Sequence, residues 1–166
     1  DKKETLDVST INTWLTVDED GTVSLDQDAV AEYVYSLAQK YDTYGKTRNF
    51  ETHDGSYVDV SGGAYGWLID QNAENEQLLS ILKDGRQVER EPVYAQTAAT
   101  RENCDMGNSY VEVDLSSQHL WMYRDGVVIL ESDFVSGDTS KGNTTPAGAY
   151  ALYYKTSPFV LKSDTP

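Results

Sequence analysis

Residues 110–135 constrain the fold most, because their side chains repeat with a period of two and the turns between them are spelled out. Val111, Val113 and Leu115 alternate with polar residues; after Ser116-Ser117 a second run sets Leu120 and Met122 on one face and His119, Trp121 and Tyr123 on the other. Such alternation suits strands and would scatter around a helix. Arg124-Asp125-Gly126 supplies the next turn, with glycine where a positive φ is tolerated, and Val127-Val128-Ile129-Leu130 opens a third strand running through Val135. The expectation is an antiparallel meander.

The earlier part of the chain mixes periods. Residues 1–8 are polar and expected to be loose. Ile11, Trp14, Leu15 and Val17, then Asp18-Glu19-Asp20-Gly21, then Val23 and Leu25 read as strand, turn and short strand. Ser24-Leu25-Asp26-Gln27 has the form of a capping box, and the apolar stripe Ala29, Val30, Tyr33, Val34, Leu37, Ala38 and Tyr41 predicts a helix ending near Tyr41. That stripe assigns Tyr33 and Tyr41 to core packing rather than to a sugar-stacking surface. Residues 48–60 read as a hairpin around Asp54-Gly55, and 64–69 as a strand after the Ser61-Gly62-Gly63 break. Asp70 or Asn72 caps a second helix with Leu78, Leu79, Ile81 and Leu82 inward and Gly85 as its stop. Residues 87–94 read as a strand that Pro92 confines to an edge or irregular end. Residues 95–109 show no periodicity and read as a linker, whereas 153–161 again have strand character.

Two groups of motifs carry resemblances. Tyr-Val-Glu-Val-Asp-Leu-Ser-Ser-Gln-His-Leu-Trp-Met-Tyr from Tyr110, then Asp125-Gly126, Val135-Ser136-Gly137 and Thr145-Pro146-Ala147-Gly148 before a Tyr-rich strand, resembles the opening of an L,D-transpeptidase (YkuD-like) catalytic domain. Tyr41-Asp-Thr-Tyr-Gly45, Gly62-Gly63, Tyr65-Gly-Trp67, Asp70 and Glu91-Pro-Val-Tyr94 resemble the peptidoglycan-binding-type module that often precedes such domains in Gram-positive bacteria. Together they imply an α+β protein: a peptidoglycan-binding-type module of two helices and antiparallel strands over 1–95, a linker over 96–108, and an incomplete, mainly β module over 109–166.

The resemblance implies peptidoglycan cross-linking by cysteine acyl transfer, in which a thiolate attacks a donor stem peptide, a terminal D-residue leaves, and an acceptor amine resolves the thioester while a histidine manages the proton. The family's active-site histidine and its Ser/Thr-His-Gly-Cys signature are expected downstream of Pro166. No catalytic, cofactor-binding or metal-binding residue is therefore assigned within this chain, and it is expected to be inactive by itself. His53 lies beside a hairpin tip, and His119 reads as a strand-surface residue. Acidic neighbours Glu102 and Asp105 disfavour the thiolate of Cys104 and argue against a nucleophile there. Missing strands would leave residues 109–166 loosely packed, swapped or paired with a second copy through an exposed edge.

Other chemistries are poorly supported. The formal charge is −15, with 20 acids against 9 bases in residues 1–104 and 8 against 4 in 105–166, so clustered cations for nucleic acid are lacking. The uneven charge suits two modules. One cysteine excludes an intrachain disulfide and a Cys-based zinc site. A calcium loop aligned on Gly21 puts Gln27 where a bidentate Glu belongs, and Gly45-Lys46-Thr47 has Lys40 where a phosphate loop needs its first glycine. Asn143-Thr144-Thr145 matches a glycosylation acceptor that a bacterial chain would not normally use, and neither Ser-x-x-Lys nor Gly-x-Ser-x-Gly occurs. No apolar run reaches the roughly 18 residues of a membrane span, and no leader is read at the N-terminus; an anchor is expected, if anywhere, in a longer parent. The implied partner is peptidoglycan, through stem peptides or glycan, at the cell wall or the outer face of the membrane. The competing reading is a non-enzymatic wall-binding protein; an adaptor working by strand addition is weaker still.

Overall fold

The computed structural model describes residues 3–156, and packing divides them into two units: the chain up to Tyr44 with Gly66–Arg101, and Gly45–Tyr65 with the chain from Glu102 onward. The class is α+β, with helices α1 (Val8–Asn12), α2 (Gln27–Tyr41) and α3 (Gln71–Lys83) and small antiparallel sheets. Residues 157–161 of the expected last strand lie outside the described residues.

In the first unit α2 and α3 cover two short hairpin-like pairs, β1 (Leu15–Val17) with β2 (Val23–Leu25) and β5 (Leu68–Ile69) with β6 (Tyr94–Gln96). The predicted stripe forms the core: Val30 and Val34 are fully buried and pack with Trp14, Ala38, Ile69 and Leu78, while Tyr33 tilts against Trp14. Burying each such aliphatic side chain contributes about 1.5–3 kcal/mol. α3 ends as predicted. Gly85 takes a φ of +61° and donates to the Leu82 carbonyl, and Arg86 N–H reaches back to Ile81 O at 3.1 Å, so the last carbonyls are satisfied.

Several expectations fail locally. Residues 8–12 form a one-turn helix rather than a strand because the Asp7 carboxylate accepts from the Thr10 N–H at 2.9 Å. α2 is capped by Asp26, whose carboxylate takes the Asp28 and Ala29 N–H groups; Ser24 instead meets the Thr16 hydroxyl across the β1–β2 hairpin at 2.7 Å. The N-terminal segment is tied down, with Leu6 packed on the core and Glu4 bonded to Lys40 and Tyr41. Residues 87–93 form no strand, because the buried Glu74 carboxylate draws the Val93 N–H to 2.8 Å and grips Arg90 with both oxygens, at 2.6 and 2.8 Å. The apolar run 64–69 contributes only two strand residues, since the Gly66 carbonyl accepts from the Gln96 side chain and the Trp67 indole is drawn to Thr100 O.

The second unit joins the predicted hairpin, β3 (Arg48–Glu51) with β4 (Tyr57–Val60), to the predicted meander of β7 (Val111–Asp114), β8 (His119–Arg124) and β9 (Val127–Asp133). Asp125 and Gly126 both have positive φ, 51° and 79°, in the two-residue turn that matches strand twist. Segment 102–107, read from the sequence as linker, is held by Arg48. This 6%-exposed side chain donates to Lys46 O at 2.9 Å, Tyr65 O at 3.0 Å, Cys104 O at 3.1 Å and the buried Asp105 carboxylate at 3.2 Å. Asn103, Cys104 and Asp105 are consecutive left-handed residues, with φ of 47°, 55° and 68°, a conformation disfavoured by roughly 1–2 kcal/mol per L-residue. Two glycines close the unit elsewhere. A Cβ on Gly63 would sit 2.0 Å from the Ala149 carbonyl, and one on Gly148 2.7 Å from Gly63 N.

Arg48→Ala strands the buried Asp105 charge and three carbonyls, and should lower the unfolding free energy by about 3–5 kcal/mol. Urea denaturation with hydrogen exchange read over residues 45–65 checks this; a loss under about 1 kcal/mol would show the pair to be incidental.

Candidate functional site

Two places concentrate side chains that could contact a ligand. The first lies in the second unit, on the β7–β8–β9 face that carries Glu112, His119, Trp121 and Tyr123. The β3–β4 hairpin brings His53 onto this face: its ring stacks on Trp121 with centroids 4.5 Å apart, its Nδ1 lies 2.7 Å from the Tyr123 hydroxyl, and its backbone N–H donates to Glu112 at 2.9 Å. His119 tilts against the same indole at 4.6 Å, and its Nδ1 meets the Asp133 carboxylate at 2.7 Å. Tyr110 stacks on Tyr123, and Phe50 meets Tyr110 edge-on.

Trp121 thus gathers both histidines of the chain, which lie 66 residues apart in sequence. Burial first, then the charge of Glu112 and the neighbouring Tyr110, push the Tyr123 phenol up to about 12. The opposite face, predicted as the apolar one, is open: Val111, Val113 and Leu130 are about half exposed.

This cluster can orient rings and hold a proton between His53 and Tyr123, but it presents no assembled nucleophile. The Cys104 thiol donates to Asn49 O at 3.3 Å, and among the described residues no hydrogen bond joins it to either imidazole. Acyl transfer needs a nucleophile and a base within reach of one another. No group of three or more potential metal-ligating side chains occurs among the described residues.

The second place is a groove of about 500 Å³ in the first unit, between the β1–β2 hairpin and the last turn of α3, floored by Ile11, Leu15, Leu25 and Leu82, with Gln27 and Lys83 also lining it. None of the aromatic motif residues of the same unit lines it. Those are drawn together around Arg101, whose guanidinium stands 4.1 Å over Trp67 and donates to Tyr41 O and the Tyr94 hydroxyl, both at 2.9 Å. The motif side chains Asp42 and Thr43 accept the backbone N–H groups of Ile69 and Trp67. These contacts tie the end of α2 to β5, β6 and Arg101.

Residues 1–90 match the family described as putative peptidoglycan binding domain. The chain belongs to that family. Residues 108–163 match the L,D-transpeptidase catalytic domain, so the peptidoglycan-binding module is followed by transpeptidase-type sequence. Two solved structures are similar at 37% identity and a TM-score of 0.63: a C-to-S mutant of the Enterococcus faecium L,D-transpeptidase, and the Ldtfm-avibactam carbamoyl enzyme. Each alignment covers 86% of this chain and 56% or 55% of the other, so the chain spans a little over half the length of the structures it matches. No curated protein matches. The first family match includes the hairpin of residues 45–65, which packs in the second unit.

Sequence reasoning missed Arg48, Arg101 and Glu112. Each is a charged residue whose partners are far off in sequence, and no local period marks it.

The phenol shift has a pH consequence. A tyrosine that ionises near 10 when unfolded and about 12 when folded keeps its full stabilising effect below pH 10. That effect is lost as pH rises from about 10 to about 12, where the unfolded chain binds fewer protons. Tyr123→Phe should flatten the fall in stability over that window, measured by denaturation at successive pH values; an unchanged slope would remove Tyr123 from the account.

Proposed function

We propose that this chain is the peptidoglycan-binding module and the opening scaffold of a cell-wall L,D-transpeptidase, acting outside the cytoplasmic membrane of a Gram-positive bacterium. The reaction is cross-linking of stem peptides through a cysteine thioester. The observation that carries the reading is the order of the two family matches, binding module then catalytic domain, in a chain that spans a little over half of enzymes it resembles at 37% identity.

Cys104 is turned into the hairpin backbone and both imidazoles are engaged with other side chains, which supports assigning acyl transfer to none of the three. On this reading residues 1–95 serve binding, 96–108 connect, and 109–166 are the opening portion of the catalytic domain.

Incubation with avibactam followed by intact-mass measurement should leave residues 1–166 unmodified, while purified sacculi retain the chain above a control protein. A carbamoyl adduct on Cys104 would contradict the assignment of catalysis elsewhere, and loss of retention would contradict the binding role.

A non-enzymatic wall-binding protein is the second reading, favoured by the extent of the first match, which takes in 90 of the 166 residues. It predicts the same retention; a parent gene that encodes no Cys and His of the transpeptidase type would decide for it.

The exposed strand β9, with Val127, Ile129 and Leu130 open to solvent, supports pairing through this edge. Sedimentation of residues 1–166 should show a self-associating species that Ile129→Lys weakens. A monomer at all concentrations counts against pairing between copies.

A further inference from the structure

The groove between the β1–β2 hairpin and the end of α3 has two properties that select a ligand. Its floor is aliphatic, from Ile11, Leu15, Leu25 and Leu82, and no aromatic ring lines it. A sugar plane thus finds no stacking partner there, whereas small aliphatic side chains find a matching surface. Its size, about 500 Å³, lies within the usual range for small-ligand sites.

The other property is charge. The first unit is strongly acidic, and its described cations are almost all engaged: Lys3 with Glu89, Lys40 with Glu4, Arg86 with Asp84, Arg90 with Glu74, and Arg101 with the Tyr41 carbonyl and the Tyr94 hydroxyl. Lys83, which lines the groove, has no such partner among the described residues. Nor is its ammonium needed to finish α3, because the Gly85 and Arg86 N–H groups already take up the carbonyls of Leu82 and Ile81. An unpaired cation beside an aliphatic floor, in an otherwise negative module, is complementary to a short apolar peptide end carrying a free carboxylate.

We propose that this groove holds the carboxyl-terminal end of a peptidoglycan stem peptide, with alanyl methyl groups on Leu15, Leu25 and Leu82 and the terminal carboxylate on Lys83. The Gln27 amide at the start of α2 supplies a second donor. The inference rests on the peptidoglycan-binding reading of the module and adds to it the part of the polymer that is gripped, the peptide end rather than the glycan.

The test titrates residues 1–166 with the synthetic stem pentapeptide L-Ala-γ-D-Glu-L-Lys-D-Ala-D-Ala as free acid, with its carboxyl-terminal amide, and with a chitooligosaccharide, following amide chemical shifts. The free acid should bind and perturb residues of the groove. The amide should bind about tenfold more weakly, the loss expected for one charge-assisted hydrogen bond, and the sugar should not compete. Lys83→Gln, a surface change whose folding is checked by thermal denaturation, should weaken the acid about tenfold and abolish the difference between acid and amide.

Equal binding of acid and amide to the unaltered protein, or a Lys83→Gln variant that still tells them apart, overturns the proposal. Retention on sacculi without binding of the free acid overturns it while leaving the module's wall-binding role standing. Failure of both overturns the role as well.

Discussion

Arg48 sets the second unit. One guanidinium, nearly excluded from water, reaches three backbone carbonyls and the Asp105 carboxylate, and so joins the β3 strand, the end of the Gly62-to-Tyr65 segment and the left-handed turn at Asn103–Asp105. A charge so placed must be fully compensated, because an unpaired ion in low dielectric costs several kcal/mol. A planar fork of five donors suits the task where a lysine would not. The left-handed turn is disfavoured by its own backbone and is held by what the Arg48 fork and the Tyr65 hydroxyl, bonded to Asp105 O at 2.9 Å, give back.

The first unit solves the same problem with the signs reversed. Glu74 is buried on the inner side of α3 and uses both oxygens, on the Arg90 fork and on the Val93 N–H. The consequence is topological: with the Val93 N–H taken by Glu74, residues 87–93 form no strand and β6 starts only at Tyr94. Arg101 plays a related part by covering Trp67 and joining Tyr41 to Tyr94. Trp67 and Tyr94 thereby become packed support around the Arg101 guanidinium.

In the second unit the polar face of the meander is the covered one. Val111 and Val113 stay open while Glu112, Trp121 and Tyr123 meet His53, and Tyr123 also stacks on Tyr110, which Phe50 meets edge-on. Alternation in sequence places residues on two faces but does not say which is buried. Aromatic rings with polar tips can fill the covered side; there the Tyr123 hydroxyl meets His53 Nδ1.

What the sequence determined by itself was local. The period of two in residues 111–123, the Asp125-Gly126 turn, the apolar stripe of α2 and the Gly85 stop of α3 each rest on near neighbours, and all appear where their patterns put them. The family motifs were legible too, and with them the order of the two modules. Tertiary structure decided the absence of a strand over 87–93, the packing of 102–107, and the meeting of His53 with His119 on Trp121, whereas the helix at Val8–Asn12 and the Asp26 cap turned on carboxylates two or three residues from the amides they accept. Several of these turn on a charged or polar side chain satisfied by groups tens of residues away. The burial that makes such a bond obligatory exists only once the chain has folded, so no window of neighbouring residues can announce it.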